Sequence, residues 1–232
     1  MKTKTCGYKN TAIIVGILYI IGTVAGILSV PFLKVRNEPD YLAKIAENPN
    51  SLVVGAILTL VMGFALAMIP AFMFPILKKY NAILGIGYII FRGALETWSH
   101  IIGAICYLAL SSLGAAFAAG TDTTQLLGAG TAINTIADSS VTAFVFGIGA
   151  IIFYSTLYRY RLIPRWISGF GIIAILLHII SGVLVLFGIQ ENFDTGSLIM
   201  NLPIAVQEMV MAVWLIVKGF NITEEDTKGD DK

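Results

Sequence analysis

FRGALETWSHIIGAICYLAL, residues 91–110, belongs in hydrocarbon, yet it carries Arg92, Glu96 and His100. The apolar run extends on both sides, so residues 82–113 read as one long helix. That exceeds the roughly 20 residues needed to cross a ~30 Å hydrocarbon layer. Residues four apart share a helix face, so the three ionisable side chains form one slowly drifting stripe. Pointing such a charge at lipid costs about 2.5–3.5 kcal/mol on insertion scales. The stripe therefore has to face water or other helices, which the same chain must supply.

The composition supplies them. Of 232 residues, 57% are hydrophobic and 12% charged, against roughly 25% charged in a soluble domain. The fold class expected is an all-α polytopic integral membrane bundle of about six spans, with the lipid bilayer as its solvent. The spans fall near residues 11–32, 52–77, 82–113, 136–158, 167–187 and 198–218. Together, residues 1–220 read as a single membrane domain. The polar, acidic stretch 221–232 reads as a disordered cytoplasmic tail. Lys2, Lys4 and Lys9 ahead of the first run imitate a signal peptide. The run is longer than a 7–15-residue signal core, and the expectation is a retained first helix.

Pro70 is expected to kink the second span, because proline removes a backbone donor and crowds the preceding turn. In the loop 35–51, Pro39-Asp40-Tyr41-Leu42 resembles a helix start. The Gly/Ala/Thr-rich segment 114–134 leaves two readings open. One is a helix capped by Thr121 or Asp122, and the other a stretch dipping partly into the membrane.

Charge sets the expected direction. Lys9, Lys78, Lys79 and Lys218 share one side with Arg159, Arg161 and Arg165. The opposite side has only Lys34, Arg36 and Lys44, in a loop that also holds Glu38, Asp40 and Glu47. The positive-inside rule then puts both termini in the cytoplasm. The net charge of +1 and the absence of a basic stripe argue against nucleic acid as a partner.

Partners for the buried stripe follow from depth. At 1.5 Å per residue, Arg92 sits roughly 15 Å above the cytoplasmic end of its helix, with His178 and Glu208 at about the same height. Glu96 is one turn higher and His100 another turn above it. Gln207 adjoins Glu208, and Asp138 lies near the outer entrance of the fourth span. Arg92 can thus bridge Glu96 and Glu208 with its forked donors, with His178 joining them near the midplane. Such a cluster reads equally as structural glue and as a ligand, ion or proton site. His178 alone reads as a hydrogen-bonded core histidine.

No cofactor or metal is expected. The chain has two histidines and two cysteines, with no HExxH or CxxC, whereas catalytic zinc takes three protein ligands. A bis-histidine haem is disfavoured, because His100 and His178 differ by roughly 10–15 Å in estimated depth. Cys6 in the tail and Cys106 in an apolar run are not positioned to pair. Nothing specifies an activated nucleophile. Gly22 and Gly26 read as a close-packing motif.

Three stretches then resemble a known family: FRGALETW from Phe91, LYRYRLIPRWISGFGIIA from Leu157, and QEMVMAVWLIVKGFN from Gln207. Their order and spacing are similar to the bacterial and archaeal family catalogued as domain of unknown function 4386. The resemblance runs from the first helix to Asn221. Arg92 and Glu96 stand at its third-helix pair. Tyr158, Arg159, Pro164 and Arg165 stand at the connection before its fifth helix. Glu208, Trp214, Lys218 and Gly219 stand in its last helix. His100 and His178 do not belong to the pattern. The resemblance implies a six-or-so-helix membrane fold and no activity. Three functional readings follow. The first is binding or transport of a small or lipid-like ligand at the polar midplane site. The others are an intramembrane enzyme using Glu96, Glu208 or His178 as acid or base, and an assembly or sensor protein whose charge network is purely structural.

Overall fold

Backbone amides in hydrocarbon find no water to bond, so an apolar stretch of this length is stable only when each amide is satisfied within the chain. The computed structural model describes residues 8–138, 140–192 and 194–222, and among them the chain is helical with no strand. The first helix, α1, spans Lys9–Leu33. A short 3-10 turn, Lys34–Asn37, and the seven-residue α2, Tyr41–Glu47, follow it. Helix α3 covers Asn50–Tyr88 and passes through a π-helical turn, Ile89–Leu95, into α4, Glu96–Ala118. The remaining helices are α5 (Thr123–Ala137), α6 (Val141–Arg159), α7 (Arg165–Leu186) and α8 (Thr195–Val217).

Five stretches among the described residues are long and apolar enough to cross a membrane, the longest being the 69 residues Asn50–Ala118. At 1.5 Å per residue a straight helix of that length would reach roughly 100 Å, about three hydrocarbon layers. It folds back instead. Asn81 leaves the helical region (φ −162°, ψ 107°), and its side-chain Oδ1 accepts from Leu84 N at 3.1 Å, capping the next helix. The two halves then run antiparallel. A Cβ on Gly85 would meet Phe74 and Leu77, one on Gly93 would meet Pro70, and one on Gly63 would meet His100. Hence the described residues hold six stretches long and apolar enough to cross a membrane.

The break falls at Asn81, in the gap between residues 77 and 82 that the sequence reading left between its second and third spans. Pro70 keeps helical backbone angles inside α3. Its ring faces Gly93, within the π-turn of the partner helix.

Residue patterning explains which faces meet. Ile17, Leu28, Trp98, Ile173 and Leu202 are exposed around the outside, where a bilayer supplies their solvent. The main core joins Tyr19, Ile69, Met73, Tyr88, Phe153 and Tyr154, all buried. Phe220 and Ile222 enter the same core at the terminal end. There Asn221 N donates to Leu162 O at 2.8 Å. Of the tail expected from residue 221, Asn221 is thus hydrogen-bonded to the bundle and Ile222 is buried, and 223–232 lie outside the described residues.

A second cluster caps the opposite end, called here the far side. Tyr41, Leu42 and Ile45 of α2 pack there with Leu33, Leu110 and Leu126. Gly114 is needed at this contact, since a Cβ would stand 2.4 Å from Ile45 Cγ2. Lys44 on α2 reaches Asp40 at 3.1 Å and Glu38 at 3.4 Å. The hydrogen bond to Asp40, with a smaller contribution from Glu38, holds its ammonium above the usual lysine range. The segment left open in the sequence is a helix, and Asp122 caps it by accepting from Gln125 N at 3.0 Å.

Candidate functional site

Arg92 lies in the π-turn, which adds a residue to the ordinary helical turn and re-aims side chains, a feature that recurs at functional sites. Gly149 of α6 lets that backbone come close. A Cβ there would stand 3.2 Å from Arg92 N. Arg92, Glu96 and Glu208 are 2%, 3% and 8% exposed. Arg92 Nη1 donates to both Glu96 oxygens, at 3.0 and 3.1 Å. Its Nη2 donates to Glu208 Oε1 at 3.0 Å, and Thr23 Oγ1 of α1 donates to the other Glu208 oxygen at 3.2 Å. One guanidinium thus ties α4 to α8, and through Glu208 to α1. The fork of Arg suits this double task better than the point charge of Lys.

Aromatic rings close the sides. The Arg92 guanidinium carbon lies 4.4 Å from the Phe146 ring centre and 5.8 Å from that of Tyr19. Tyr19 and Tyr88 approach through their hydroxyls at 3.3 Å. Ring faces offer a cation partial negative charge without adding a group that needs its own partner.

The other sequence candidates sit around this triad. His100 Nε2 is 3.6 Å from Glu96 Oε1, outside hydrogen-bond range, and is buried without a hydrogen-bond partner. His178 does not join the triad, contrary to the depth estimate. Its Nδ1 pairs with Asn201 Oδ1 at 2.7 Å. The Phe146 ring contacts both the Arg92 guanidinium and, edge-on at 5.1 Å, the His178 ring. Gln207 also points elsewhere. Its amide donates to Ile167 O at 3.3 Å on α7.

His100 and His178 line one cavity of about 370 Å³. Ser29, Thr59, Ser181 and Asn201 add polar groups to its wall. The cavity occupies the half of the bundle nearest the far side, and Arg36, Ser140 and Asn192 contribute to its upper wall. Among the described residues, no group of three or more His, Cys, Asp or Glu is placed to hold a metal ion.

Arg36 is a site residue that sequence reasoning missed. Read as one charge of a solvated loop, it is 2% exposed. It bonds Asp138 through Nη2 and Asn134 Oδ1 through Nη1 at 3.3 Å, and lies 5.4 Å from the Tyr107 ring centre. Asn192 donates to the same Asp138 oxygen at 3.0 Å. The available signal was Asp138 itself, a lone acid at the outer entrance of a span.

These features define a polytopic α-helical membrane protein with a buried charge network beneath a polar cavity. Residues 14–219 match the sequence model described as Domain of unknown function (DUF4386), and the chain belongs to that family. No curated protein and no solved structure matches it.

Proposed function

We propose that the protein binds a small ligand carrying hydrogen-bonding groups in the cavity between its helices, as a transporter or receptor of the prokaryotic plasma membrane. The observation that carries this reading is the cavity of about 370 Å³ whose wall includes both histidines of the chain. Its volume falls within the roughly 300–1,000 Å³ of small-molecule sites. Its hydroxyl, amide and imidazole groups fit a polar ligand, and its position inside the bundle fits one taken out of water.

The positive-inside distribution supports both termini in the cytoplasm, which turns the cavity toward the outside. Arg36 and Asp138 then stand at the entrance. The enzyme reading has less support, because Glu96 and Glu208 are both bonded to Arg92 and neither lines the cavity, and His178, which does line it, is held by Asn201.

Thr142→Trp tests the proposal by filling the cavity from α6. Native mass spectrometry of the gently solubilised protein is expected to show a small ligand on the unaltered chain. The variant is expected to lose it while keeping its helical circular-dichroism spectrum, with an unfolding temperature lowered by the loss of the ligand. An empty unaltered protein, or equal retention by the variant, counts against the proposal.

A further inference from the structure

One guanidinium facing two carboxylates, all three buried, leaves one formal negative charge in the middle of the bundle. An uncompensated charge in such surroundings is strongly unfavourable. All four oxygens of the two carboxylates already accept from Arg92 or Thr23, which leaves little room for a proton on either, so a neighbouring group has to balance the charge. The ionisable neighbours can be taken element by element. Tyr19 on α1, Tyr88 at the end of α3 and Tyr154 on α6 are phenols, which carry no positive charge in either form. The part of α3 opposite His100 presents Gly63. On α7, His178 lies beyond the Phe146 ring and is held by Asn201. Arg36 is engaged by Asp138 toward the far side. His100 remains, its Nε2 buried, without a hydrogen-bond partner and 3.6 Å from Glu96 Oε1.

We propose that His100 and Glu96 form a proton-binding site, in which a proton on the His100 imidazole balances the buried network and is exchanged through the cavity that His100 lines. With the proton present, two cations face two carboxylates. When it leaves, through the cavity to water, the negative charge reappears directly beneath the cavity floor. Protonation and the binding of any charged ligand above it are then linked, each changing the equilibrium of the other.

The test needs no ligand, so its outcome is independent of whether the cavity has an occupant. The chain has only two histidines, and His178→Asn leaves His100 as the sole imidazole. In lipid nanodiscs, 15N NMR of histidine-labelled His178→Asn protein at pH 7 is expected to show both ring nitrogens protonated. Adding Glu96→Gln or Glu208→Gln is expected to make the ring neutral. Glu208 is not in contact with His100, so its effect reads charge balance and not loss of a neighbour. It also serves if the Glu96 variant does not fold. A neutral imidazole in the starting protein, or an imidazolium that survives both substitutions, overturns the proposal. So does an infrared band of a protonated carboxyl group that vanishes with Glu208→Gln, which puts the proton on the wrong residue.

Discussion

Arg92→Met is expected to destabilise the protein by about 3–5 kcal/mol, the range for removing one partner of a buried ion pair. The methionine fills much of the space but provides no donors. Glu96 then keeps neither of its bonds to Nη1, and Glu208 keeps only Thr23. The damage comes from stranded carboxylates more than from a lost attraction. Adding Glu96→Gln and Glu208→Gln to Arg92→Met should therefore recover a large part of the stability, because neutral amides are far easier to bury than unpaired charges. Unfolding of the detergent-solubilised variants, followed by circular dichroism, reads both effects. A triple variant no more stable than Arg92→Met argues against stranded charge as the cause.

Arg36→Met is expected to have the second largest effect, about 2–3 kcal/mol, from the charged hydrogen bonds it removes. It should be milder than Arg92→Met for a structural reason. The Asp138 side chain is 31% exposed, so the carboxylate left behind keeps some water as well as the Asn192 amide. The 3-10 turn after α1 stays tied to the end of α5 in the variant, since the backbone carbonyl of residue 36 still accepts from Asn134 Nδ2, at 3.2 Å in the unaltered protein. In an Asp138→Asn background the same change should cost less, because the carboxylate is already gone. Equal costs in both backgrounds would show that packing against Tyr107, and not the ion pair, holds Arg36.

The two arginines show why one network was visible in the sequence and the other was not. Arg92 stands inside an apolar run, where a charge has no bland explanation. Helical rise alone puts Glu208 at its height, and the two are 3.0 Å apart. Arg36 stands among Lys34, Glu38, Asp40 and Lys44, a composition that ordinarily means water. Only the folding of α2 and α5 over the bundle end buries it. Depth counting matched Glu208 to Arg92, but depth does not choose the partner of His178, which Asn201 of α8 takes. The hairpin break was legible as the gap between residues 77 and 82, though not the residue that makes it. Pro70 is the stronger breaker by propensity, yet it sits opposite Gly93, while Asn81 turns the chain by capping the next helix. The cavity is a property of how six helices fail to fill the space between them, and no local pattern announces that.

The spans themselves were legible because lipid leaves few options. An apolar stretch of sufficient length becomes a helix, and its acids and bases must find each other. The most direct test of that claim is a double-mutant cycle between Arg92→Met and Glu208→Gln, residues 116 positions apart in the chain. Contact between them predicts a coupling energy of at least about 1.5 kcal/mol in unfolding stability, with the double variant less destabilised than the two single effects combined. Additivity to within about 0.5 kcal/mol, the behaviour of distant sites, would contradict the account.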